Sequence, residues 1–109
     1  MSRFFKEIDD GNMNQEFLLK LDEARELAGI PFKINSAYRT PEHNAKIGGK
    51  PNSSHLKGLA VDISVTNSRQ RFIVLNALLE VGFTRIGIAD TFLHVDLSTD
   101  KSQQVIWTY

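Results

Sequence analysis

The chain has 109 residues, enough for one domain with one core, and its 41% hydrophobic and 24% charged content is that of an ordinary globular protein. Thirteen basic residues balance thirteen acidic ones, so no net field draws the chain to nucleic acid. Cysteine is absent, which excludes disulfides and any thiolate metal site; a metal here must be held by histidine and carboxylate.

The first ten residues, Met1 to Asp10, lack the apolar run of a secretory leader, and no stretch approaches the ~20 apolar residues needed to span a bilayer. The expectation is a monomer made in the cytoplasm with no stable membrane insertion.

Residues 1–12 read as a turn-rich lead-in ending in Asp9-Asp10-Gly11-Asn12. A helix is predicted from an Asn14 cap, with Phe17, Leu18, Leu21, Ala24 and Ala28 at helical spacing and Gly29 and Pro31 closing it. Phe32 to Ala37 reads as a short strand. Thr40-Pro41-Glu42 starts a second helix, a hydroxyl cap followed by proline at the first helical position. The Gly48-Gly49-Lys50-Pro51-Asn52 loop ends it.

Ala60 to Val65 alternates as a strand, with Val61, Ile63 and Val65 on one face and Ala60, Asp62 and Ser64 on the other. A third helix is predicted from a Ser68 cap to about Val81, with Phe72, Leu75, Leu78 and Leu79 buried. Strands over Arg85–Ile88 and Leu93–Leu97 follow, and Val105-Ile106-Trp107 can add an edge strand. The sum is a compact α+β domain with helices packed on a small antiparallel sheet.

The polar residues concentrate in two places. His55 precedes a strand that carries Asp62 on its less apolar face, and Gly58 lets the backbone turn between them. In Phe92-Leu93-His94-Val95-Asp96-Leu97 the apolar residues alternate toward the core, leaving His94 and Asp96 on the opposite face. Such groups can converge on one cation with a fourth position open, as hydrolytic zinc requires. They can equally be hydrogen-bonded structural residues, and the spacing alone does not choose.

Ser53-x-His55-x-x-Gly58-x-Ala60-x-Asp62, followed by His94-x-Asp96, resembles the zinc signature of the M15 peptidases. That family includes zinc D-Ala-D-Ala carboxypeptidases, vancomycin-resistance dipeptidases and phage L-alanyl-D-glutamate endopeptidases, and the hedgehog signalling domain shares its fold. Ser36-Ala37-Tyr38-Arg39-Thr40-Pro41-Glu42-His43-Asn44 resembles the family's SGYR-x-x-x-x-N segment. The resemblance implies one zinc ion held by His55, Asp62 and His94, with Arg39 polarising the substrate carbonyl or steadying the oxyanion. It implies a peptidoglycan stem peptide as substrate, cut at the D-Ala-D-Ala or the L-Ala-D-Glu link, and action at the cell wall after release, as in an endolysin.

Ser53 is expected to orient the metal loop or a substrate carboxylate, or simply to form the turn. Tyr38, Phe92 and Trp107 can line a groove or fill the core. His43 is expected to be exposed or to touch substrate. Many family members carry an acid three residues before the last histidine, where this chain has Thr91. Asp96 and Asp90 are the candidates for the general base in its place, Asp96 favoured, with a partner role for Asp96 toward a ligand histidine as its other reading. The rival to a peptidase is a zinc-containing binding or structural module of the same fold.

Overall fold

The computed structural model describes residues 1–109. Its elements are α1 (Gln15–Ala28), β1 (Ile34–Ser36), α2 (Pro41–Lys46), β2 (Ala60–Ser64), α3 (Ser68–Glu80), β3 (Arg85–Ile88), β4 (Phe92–Asp96) and β5 (Val105–Thr108), with a 3-10 turn over Ser54–Lys57 before β2. The five strands form one sheet in the order β1-β2-β4-β3-β5. All neighbours are antiparallel except β3 and β5, which run parallel. The α+β class therefore holds while the sheet is mixed: the connection between Ile88 and Val105 contains β4, so the chain returns to β3 in the direction that β3 runs.

Local chemistry explains the helix starts. The Asn14 side chain accepts from Phe17 N–H and the Thr40 side chain from His43 N–H, each relieving an unpaired donor of the first turn. Pro41 sits where its missing N–H costs nothing. The third helix is capped by Asn67, one residue before the Ser68 expected, because the Asn67 carboxamide oxygen reaches Gln70 N–H at 2.8 Å.

One face of the sheet is apolar. Val61 and Ile63 of β2 stand opposite Val95 and Leu93 of β4, and all four are fully buried. The helices α1 and α3, packed on each other, cover that face with Phe17, Leu18, Leu21, Val74, Ala77 and Leu78. The expected buried stripe of α3 is corrected here: Phe72 is 70% exposed and Leu79 45% exposed, while Val74 and Ala77 take the interior. The lead-in is also more than a lead-in, since Phe5 is buried in the core against Phe32, with ring centroids 6.2 Å apart.

The opposite face of the sheet is where the polar residues go. The β2–β4 register sets Asp62 directly opposite His94 and Ala60 opposite Asp96. Directly opposed side chains of an antiparallel pair share a face at about 5 Å, so this register alone brings the two strands' polar groups together.

Candidate active site

Three side chains converge from two strands and one turn. The nitrogen and oxygen atoms that His55, Asp62 and His94 offer all lie within 4.8 Å of one another, and all three residues are buried. His55 arrives through the 3-10 turn: the Ser53 hydroxyl accepts its N–H at 3.2 Å, and its carbonyl accepts from Arg39 N–H at 3.0 Å. Gly58 closes that turn at φ +68°, and a Cβ there would run into the carbonyl oxygen of Asn12. Glycine is needed at this position on both counts.

The ring contacts of the two histidines are informative. His55 Nδ1 is 2.7 Å from the Ala37 carbonyl, which can only accept, so Nδ1 carries the proton and Nε2 presents a lone pair. That lone pair faces Asp62 Oδ1 at 3.3 Å. His94 is flanked by carboxylates on both sides, Asp62 Oδ1 3.0 Å from Nδ1 and Asp96 Oδ2 2.7 Å from Nε2. A neutral imidazole has one N–H for these two acceptors. A cation set between His55 Nε2, Asp62 Oδ1 and His94 Nδ1 would leave the single N–H of neutral His94 to Asp96 and so satisfy all three residues. The donor set, two imidazoles and a carboxylate, is one that zinc accepts. Each histidine is also oriented from behind, His55 by Ala37 and His94 by Asp96, as metal-bound histidines usually are.

Ionisation follows the same arrangement. Burial disfavours the Asp62 carboxylate, but the hydrogen bonds and charges of His55 and His94 outweigh it and hold Asp62 well below the usual range. Burial likewise disfavours charged His94, yet Asp62 and Asp96 push its pKa up. For Asp96, burial is outweighed by His94, the Ser98 N–H and Arg85, so its pKa is lowered.

The group lies at a cavity of about 520 Å³. Arg39 enters it with Nη2 3.6 Å from Asp62 Oδ2 and only 15% of its side chain exposed. Ser53, Phe92 and Trp107 also line the cavity. The Trp107 indole sits against His94, centroids 5.6 Å apart, in space left free by Gly87, the residue opposite His94 on β3. Arg85 stacks over that indole at 5.0 Å and donates to Asp96 Oδ1 at 2.8 Å.

Other candidates fall outside. Tyr38 packs against the hydrophobic core and does not line the cavity. His43 is exposed on α2 and also lies apart from it. Asp90 is exposed in the turn between β3 and β4, where its carbonyl accepts from Arg71, and it does not line the cavity. Asp96 lines the cavity but is 2% exposed, with Oδ2 on His94 and Oδ1 taking both Arg85 Nε and Ser98 N–H. Its geometry is that of a residue orienting His94, the second of its two expected roles.

Four cationic side chains surround the cavity, Arg39, Lys50, Arg85 and Lys101, against two acids, Asp62 and Asp96. Lys50, Lys101 and Tyr109 were missed from sequence. Arg85 had a readable signal, since it alternates with Ile86 and Ile88 at the start of a predicted strand.

The family model described as Peptidase M15 matches residues 2–96. The chain belongs to the M15 peptidase family. The match covers His55, Asp62, His94, Arg39 and strands β1 to β4, and the α+β fold agrees with it. No curated protein matches the chain. The M15 match ends before β5, so Trp107 and Tyr109 are contributed to the cavity by a segment beyond it.

Proposed function

We propose that this M15 family member is a zinc-dependent peptidase that hydrolyses amide bonds in peptidoglycan stem peptides, at the D-Ala-D-Ala or the L-Ala-D-Glu link. The observation that carries the reading is the gathering of His55 Nε2, Asp62 Oδ1 and His94 Nδ1 beside the Arg39 guanidinium in one cavity. Zinc held by these three residues would polarise the scissile carbonyl and lower the pKa of a water toward ~7. Arg39, always charged and rich in directed donors, faces the carbonyl oxygen as it gains negative charge. The excess of cations over acids around the cavity suits a substrate with free carboxylates, as stem peptides are. Asp96 keeps His94 in the orientation that ligation needs. On this reading the protein acts at the cell wall, after release from the cytoplasm, as an endolysin does.

A second reading has its own support. Beyond Asp62, the only acid lining the cavity is Asp96, and both of its oxygens are engaged. A site without a free carboxylate to take a proton from water suits a zinc-containing module that binds cell-wall peptide without cutting it.

Defined muropeptides incubated with the zinc-loaded protein, with products read by mass spectrometry, separate the two. The peptidase reading expects free D-Ala or a new D-Glu amino terminus, abolished by chelation and lowered about 10²–10³-fold in Arg39→Ala. Retention of one zinc per chain and muropeptide binding with no bond cut would replace it with the binding module.

A further inference from the structure

Asn44 is only 3% exposed, although its helix α2 is a short surface element whose other residues are all exposed. Its side chain faces two ways. The carboxamide oxygen accepts from Arg39 Nη1 at 3.3 Å, and the carboxamide nitrogen donates to the Lys50 carbonyl at 2.9 Å. Its backbone carbonyl takes the Gly49 N–H at 2.8 Å. Gly49 and Lys50 both line the cavity. One residue therefore joins the guanidinium to the loop forming the neighbouring wall.

Gly49 is shaped to this contact: a Cβ on it would run into the Asn44 carboxamide oxygen. Arg39 is further held by its Nε donating to Ser36 Oγ at 3.1 Å. With these two restraints its remaining nitrogen stands 3.6 Å from Asp62, beyond hydrogen-bonding distance. Nη2, the nitrogen outside both hydrogen bonds, is thus the one held beside Asp62 with its donors free for the cavity.

We propose that Asn44 is a positioning residue that sets the Arg39 guanidinium and the Gly48–Asn52 wall in fixed relation, acting on the reaction only through them. The proposal rests on the reading of Arg39 as the residue facing the substrate carbonyl. Misplacing such a group by about 1 Å is enough to cost rate without loss of the metal.

The test uses four zinc-loaded proteins, wild type, Asn44→Ala, Gly49→Ala and the double variant, each checked for one zinc per chain. Each single variant should lower kcat on a defined muropeptide by about 10- to 100-fold with a smaller change in KM. The double variant should be no worse than Asn44→Ala alone, because the methyl group introduced by Gly49→Ala then occupies space that the carboxamide has left. Independently of activity, Asn44→Ala should speed hydrogen exchange at the Gly49 amide and at the Arg39 guanidinium, followed by NMR. Additive losses in the double variant, or unchanged exchange at both groups in Asn44→Ala, would overturn the proposal. If the wild-type protein cuts no muropeptide, the peptidase reading fails while the exchange measurements still decide the positioning of Arg39.

Discussion

His94 has two ring nitrogens, each facing a carboxylate, and this is where pH and metal meet. Its pKa is raised in the metal-free protein by Asp62 and Asp96 against the effect of burial. A group whose folded pKa lies above its unfolded value of about 6.5 contributes stability that is complete below that pH and lost as pH rises through the folded value. Metal uptake needs the same nitrogen free of its proton, so binding strengthens over the same interval. Asp62 and Asp96, whose pKa values are lowered, are ionised throughout and add no slope there. The rise in Tm on adding zinc should therefore be larger at pH 8 than at pH 6, measured by calorimetry in matched buffers. A larger rise at pH 6 would show that His94 is not the proton-linked ligand.

At the scale of elements, α3 shows what periodicity leaves open. Residues 72–75 and 77–79 are all apolar, so the helix offers apolar residues around most of its circumference and more than one stripe passes through Leu78. Packing on α1 and the sheet chooses the stripe through Val74, Ala77 and Leu78 and leaves Phe72 outside. Leu78→Ala should cost about 2–5 kcal/mol in urea unfolding, the usual penalty for truncating a fully buried leucine. Phe72→Ser should stay within about 0.5 kcal/mol. A loss in Phe72→Ser as large as that in Leu78→Ala would restore the stripe expected from sequence.

At the scale of the whole molecule, the two faces of the sheet divide the work, and the chain ends are drawn into both. The first residues close the core. Asp22, buried on α1, accepts from Ser2 Oγ and Arg3 N–H at 2.8 Å each and from Phe4 N–H at 3.1 Å, which seats Phe5 beside Phe32. The last strand closes the site, since β5 carries Trp107 onto His94. Asp22→Ala would leave these donors without a partner and should lower stability by about 2–4 kcal/mol. Zinc affinity should be unchanged, because the site lies across the sheet. Urea unfolding beside chelator competition measures the two, and a matched loss of affinity would show that the faces are coupled.

The convergence of His55, Asp62 and His94 was legible in part because some of the information that places them is local. Alternation puts Asp62 and His94 on the polar faces of their strands, and Gly58 marks the turn after His55. The caps at Asn14 and Thr40 were legible for the same reason, each being a side chain meeting backbone within three residues. Long-range register was not. Nothing in the sequence states that Asp62 stands opposite His94, that β5 joins β3 in parallel, or that Asp90 lies outside the cavity lining while Asp96 is buried against His94. Those outcomes depend on which apolar surfaces bury one another, and that choice belongs to the folded chain as a whole. Sequence alone therefore named a histidine–carboxylate metal group, and tertiary structure decided its orientation, its cationic walls and the tie between Asn44 and Arg39.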